Sequence, residues 1–182
     1  MSTEMFLFET SVPAIWLLIA VIGASIHSAG STKLPRLEIW QRWWAVAALG
    51  CGSAWMTVSF LLIPGVMTTA IGFQQTPFVT EIAFANLGLA IGGFRAVHAG
   101  PRERITIGLI AGMFLWGATI GHLYQSFAHG NWNPGNTGGV LLYDVLIPAV
   151  MIALAMRSRS LSARTGERSA SVEGSTVPTT VS

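Results

Sequence analysis

Charge is scarce in this sequence. Aspartate, glutamate, lysine and arginine make up 10% of its 182 residues, against roughly 25% in an average soluble domain, too few to build an ordinary water-exposed surface. Cysteine is nearly absent: Cys51 is the single one, which excludes an internal disulfide and any Cys-based zinc or iron–sulfur cluster. Ten basic and eight acidic residues leave a formal net charge of +2, with no basic footprint for nucleic acid. There is no HExxH pair of the kind that marks a metalloprotease helix. No internal repeat of the sort that underlies many transporters is visible either.

Apolar residues are abundant, at 52% of the chain, and they come in long runs. A membrane-spanning helix needs about 20 predominantly apolar residues. Five segments qualify, at Pro13–Ala29, Trp43–Ile63, Phe78–Val97, Ile105–Phe127 and Val140–Met156. They are too long for barrel strands, so the sequence predicts an all-α bundle whose backbone hydrogen bonds close within each helix. Pro13 is read as the opening residue of the first span, Pro64-Gly65 as the stop of the second, and Gly130 as the stop of the fourth.

The basic residues give the orientation. Lys33, Arg36 and Arg42 lie between the first two spans, Arg95, Arg102 and Arg104 around the junction of the third and fourth, and Arg157, Arg159, Arg164 and Arg168 after the fifth. Segments 1–12, 64–77 and 128–139 contain no Lys or Arg. The positive-inside rule then puts the N-terminus outside and the C-terminus in the cytoplasm of a multi-pass cell-membrane protein. Glu4 and Glu9, with no basic residue nearby, argue for a retained first helix over a signal peptide. Residues 1–157 form the bundle in this reading. Residues 158–182, rich in Ser, Thr, Arg and Gly, are expected to be a disordered cytoplasmic tail.

Ionisable groups inside a bilayer are costly and mark candidate sites. At a rise of 1.5 Å per residue, Glu81 lies about 4 Å below the outer end of the third span, His122 about 7 Å below that of the fourth, and Asp144 about 6 Å below that of the fifth. Asn86 and Gln125 can extend this layer, and Asn136 sits in the loop above it, in an Asn-Pro-Gly-Asn sequence that favours a tight turn. One imidazole and two carboxylates can bind a divalent metal with an open position, or relay a proton. Equally, Glu81 and Asp144 sit in first helical turns, where the backbone dipole favours negative charge, and capping alone can account for each. His27 and His98, at similar depth near the inner ends of their spans, are the only pair that can suggest axial haem ligation; interfacial hydrogen bonding is the preferred account.

Glycine pairs four apart, Gly88 and Gly92, Gly108 and Gly112, and Gly117 and Gly121, allow close helix contact. They serve packing within the bundle, a homo-oligomer or a larger membrane complex. The run from Glu81 through Asn86 to Gly88, then Gly117 to His122 with Gln125, then Asn133 to Gly138 with Asp144 and Pro148, resembles a family of small prokaryotic membrane proteins, the DUF6790 type. The resemblance spans about Phe78–Met156. It implies a polytopic membrane protein and brings no activity, cofactor or catalytic residue with it; the first two spans offer no matching motif. The expected function is binding of a small polar ligand or cation, or proton relay, at a polar site in the outer leaflet. The alternatives are a metal-dependent membrane enzyme and a non-catalytic accessory subunit.

Overall fold

The structure is a computed structural model that describes the backbone of residues 3–175 and the side chains of residues 13–165. Among the described residues it is wholly helical. The elements are α1 (Thr3–Gly30), α2 (Arg36–Leu62), α3 (Pro64–Ile71), α4 (Phe78–Ala96), α5 (Pro101–His129), α6 (Pro134–Thr137) and α7 (Gly139–Ser175). Four helices are long and apolar enough to cross a membrane: α1 from Pro13, α2, α5, and the stretch Pro134–Thr165 that includes α6 and most of α7. The 19-residue α4 is not among them, since Glu81, Asn86 and Arg95 offset its apolar residues.

The helices end where backbone chemistry requires. Pro64 cannot donate to α2 and instead occupies the first position of α3. Gly130 takes a left-handed φ of 66° after α5, and the amides of Gly130 and Asn131 close back onto Ser126 and Gln125 carbonyls. Two expectations shift. Pro13 lies inside α1 instead of opening it, because the helix already runs from Thr3. At the other end α7 continues to Ser175, where a disordered segment was expected from Ser158. Between Ser158 and Thr165 no Gly or Pro interrupts the chain, and the hydroxyls of Ser160, Ser162 and Thr165 bond back to carbonyls four residues earlier. The expected tail's last residues, 176–182, lie outside the described residues.

The middle of α2, Trp44–Cys51, is a π-helical segment: the Gly52 amide reaches the Ala47 carbonyl five residues back. This wide turn lies at the centre of the core. Gly93 of α4 comes so close to Gly50 that a Cβ on Gly93 would sit 2.7 Å from Gly50 Cα. On another side of the segment, Trp44 Nε1 donates to the Ile147 carbonyl at 2.9 Å and Tyr143 Oη donates to the Ala48 carbonyl at 3.1 Å. Both rings are buried. Tyr143, although it stands near a helix end, is therefore a core residue. Pro148, inside α7, has no amide with which to bond the Asp144 carbonyl, and the Trp44 and Trp116 indoles bond carbonyls beside it, those of Ile147 and Val145.

A second fixed point ties three helix ends together. Arg104 of α5, 3% exposed, forks onto Glu38 of α2 through Nη1 and Nη2 at 2.6 and 2.8 Å, and donates to the Ala96 and Val97 carbonyls at the end of α4. Arg42 bonds the same Glu38 at 2.7 Å. The remaining contacts leave α5 packed along α7 and α4 packed against α2, with little contact between α4 and α5. That gap holds the site.

Candidate functional site

Asn136 is the organising residue. It lies in α6, a single helical turn that Asn133 starts by accepting the Asn136 and Thr137 amides; this turn is the form that the Asn-Pro-Gly-Asn sequence takes. The Asn136 side chain is completely buried. Its Nδ2 reaches the carbonyls of Asn131 and His122 at 2.9 and 3.1 Å, and Ser126 Oγ at 2.9 Å. Carbonyl oxygens only accept, so that end of the amide is the NH2 group. Its Oδ1 then faces Nδ1 of His122 at 2.7 Å. The imidazole donates there, and in the neutral ring Nε2 is left as an acceptor.

Across from Nε2 stands Asp144. Its Oδ2 is 4.0 Å away, beyond a direct hydrogen bond. Asp144 is 4% exposed, and among the described residues its carboxylate has no hydrogen-bond partner. An acceptor nitrogen thus faces a buried carboxylate with space between them.

That space opens into a cavity of about 830 Å3, within the size range of small-molecule sites. α2 and α4 wall one side, α5 and α7 the other, and α3 lies above. His122, Asp144, Asn86 and Gln125 all line it, within a wall that is mainly apolar and includes Trp55, Phe60, Met67 and Met113. Gly117 and Gly121 are also on this wall, and a Cβ at either would meet nothing within 4 Å. The loop after α5 is fixed over this end of the bundle: Asn131 Nδ2 donates to the Ile71 carbonyl at 2.9 Å, and Gly135 packs on the Ala70 backbone.

Residues 10–164 match the family model of DUF6790, a family of unknown function. The chain belongs to the DUF6790 family. The match extends beyond Phe78–Met156 and takes in most of α1 and all of α2, whose sequences offer no matching motif. No curated protein and no solved structure matches the chain.

In this DUF6790 chain the six sequence candidates separate. His122, Asn136 and Asp144 stand in one line, with Asn136 behind the imidazole and off the cavity wall. Asn86 is buried, donates Nδ2 to its own helix at the Ile82 carbonyl, and lines the cavity with Gln125. Glu81 is exposed, does not line the cavity, and has no side-chain bond to His122 or Asp144 among the described residues. Equal depth on three helices did not bring three groups together, because depth says nothing of the direction a side chain takes around its helix. Among the described residues no three His, Cys, Asp or Glu side chains are grouped to hold a metal ion.

Sequence reasoning missed Ser126 and Asn131, which position Asn136. Ser126 stands four residues after His122, on its face of the helix, and that spacing is the available signal. His27 is hydrogen-bonded, as its preferred account has it, with a partner the sequence did not name: Trp43 Nε1 donates to its Nδ1 at 3.2 Å. The glycine pairs divide in use: Gly108 packs on Ile152 of α7, whereas Gly117 and Gly121 border the cavity.

Proposed function

We propose that this protein crosses the cell membrane five times, with its N-terminus outside and C-terminus cytoplasmic, and that it binds an amphiphilic ligand in the outer leaflet. The ligand carries a hydrogen-bond-donating head, best a protonated amine, on an apolar body. One observation carries the reading: the acceptor nitrogen of His122 faces the buried, unpartnered carboxylate of Asp144 at 4.0 Å. Two acceptors face each other stably only with a donor between them, and a cation there also offsets the cost of a buried carboxylate. His122 and Asp144 receive the head, Gln125 and Asn86 orient it, and the apolar wall takes the body. With no ligand bound, a proton carried by one of the two groups serves the resting state. The orientation is supported by the gathering of Arg36, Arg42, Arg104 and Arg157 at the end of the bundle opposite this site. Among the described residues nothing favours the metal-dependent enzyme or the accessory subunit over this reading.

The test is binding of a long-chain primary alkylamine to the purified full chain, beside the carboxylate of equal chain length. The amine is expected to bind saturably and the carboxylate not to. His122→Ala and Asp144→Asn are each expected to weaken the amine by about tenfold or more, the value of one charge-assisted hydrogen bond, while helicity is retained. Gly121→Leu, which fills open space, is expected to block binding without unfolding the bundle. Equal uptake of both amphiphiles, or amine binding indifferent to all three substitutions, rejects the assignment.

A further inference from the structure

The opposite, arginine-rich end of the bundle holds a second cavity, which the amphiphile site leaves unused. It measures about 440 Å3 and is lined by Arg36, Leu37 and Trp40 at the start of α2 and by Leu154, Arg157 and Leu161 on α7. No carboxylate is in its lining. The neighbouring acids are already committed, Glu38 to Arg104 and Arg42, and Glu103 to Arg95. Among the described residues Arg36 and Arg157 have no acidic partner, and the Trp40 indole N–H has no acceptor. Every polar side chain in this lining is a donor.

The apolar part of the lining has an orientation of its own. Leu154, Arg157 and Leu161 follow an i, i+3, i+7 spacing and share one face of α7, as Arg36 and Trp40 share one face of α2 at i, i+4. Two guanidiniums and an indole N–H thus stand beside leucine side chains, between two helices at a membrane edge. A free anion uses the donors and leaves the leucines without a partner. A phosphodiester attached to acyl chains satisfies both.

We propose that this groove is a binding site for an anionic phospholipid, its phosphate held between Arg36 and Arg157 and its proximal acyl chain lying on Leu154 and Leu161. Charge complementarity selects the headgroup, since basic pockets between membrane helices bind anionic headgroups and a basic residue near an anionic membrane surface is worth about 1 kcal/mol. The inference does not depend on what occupies the cavity at His122 and Asp144.

Native mass spectrometry of the purified, delipidated full chain decides it, with phosphatidylglycerol, phosphatidylcholine of the same chains, and inorganic phosphate as the probes. Wild type is expected to retain phosphatidylglycerol in preference to phosphatidylcholine. The preference is expected to fall about fivefold in Arg36→Gln or Arg157→Gln and roughly thirtyfold in the double variant. Arg36→Lys with Arg157→Lys, which keeps the charge, is expected to retain most of it. Inorganic phosphate is expected not to displace the lipid. Equal retention of the two lipids by wild type, an unchanged preference in the double glutamine variant, or full displacement by inorganic phosphate each overturns the proposal. The first comparison needs only the wild-type chain, so a variant that fails to fold does not protect the idea.

Discussion

Oδ1 of Asn136 accepts from Nδ1 of His122 at 2.7 Å while Nδ2 of the same amide is held by the carbonyls of His122 and Asn131. The amide cannot turn over without pointing an oxygen at two oxygens, so it dictates which imidazole nitrogen carries the hydrogen. Nitrogen NMR of labelled histidine is expected to show His122 with hydrogen on Nδ1 in wild type. In Asn136→Leu this fixed tautomer is expected to be lost, and the thermal midpoint to drop by the equivalent of about 1–3 kcal/mol for buried groups left unpaired. A wild-type ring with its hydrogen on Nε2 contradicts the assignment.

Two glycines of α4 should behave in opposite ways. At Gly93 a methyl group meets the Gly50 backbone, whereas at Gly88 it meets nothing within 4 Å. Backbone cannot step aside as a flexible side chain can, so Gly93→Ala is expected to destabilise the bundle by about 1–3 kcal/mol. Gly88→Ala is expected to be neutral or to stabilise by up to roughly 1 kcal/mol through helix propensity. Thermal unfolding of both variants in one detergent checks the contrast; similar shifts for the two remove the claim of close approach between α2 and α4.

Arg104 offers a test of the other end. Lysine retains its charge but not the fork that reaches both Glu38 oxygens and two carbonyls. Arg104→Lys is expected to cost about 1.5–3 kcal/mol, the range for a lost charged hydrogen bond. The cost is moderated because Glu38 is a quarter exposed and keeps Arg42. Arg102→Lys, at an exposed position two residues away, is expected to change nothing measurable. The paired midpoints give the answer, and equal midpoints for wild type and Arg104→Lys dismiss the clamp.

Helix positions were readable in the sequence because long apolar runs and their Pro and Gly boundaries are local signals, as at Pro64 and Gly130. Direction around each helix was not. His122 and Asp144 were placed at one depth and do face one another, yet Glu81 at the same depth faces elsewhere. Nothing local marks Tyr143 near its helix end as a core residue, because its partner, the Ala48 carbonyl, lies 95 residues away. Arg104 and Glu38 were likewise hidden, since a charge count treats every arginine near an inner helix end alike and cannot tell a solvated one from one 3% exposed. Asn136 was legible as a turn former, but its fixing of the imidazole is a tertiary relation between α5 and α6.

The π-helical turn at Trp44–Cys51 bears on how α2 is phased. Each such turn takes up more residues than an α-turn, so the stretch before it and the stretch after it follow two different angular registers. The first directs Glu38 toward Arg104, and the second directs Phe60 toward Val79 and Ala83 of α4. Removing or adding a residue there would change the angular offset between the two halves, and the contacts at the two ends would no longer align. The length of that stretch, as much as its composition, is what keeps the two ends of the molecule in step.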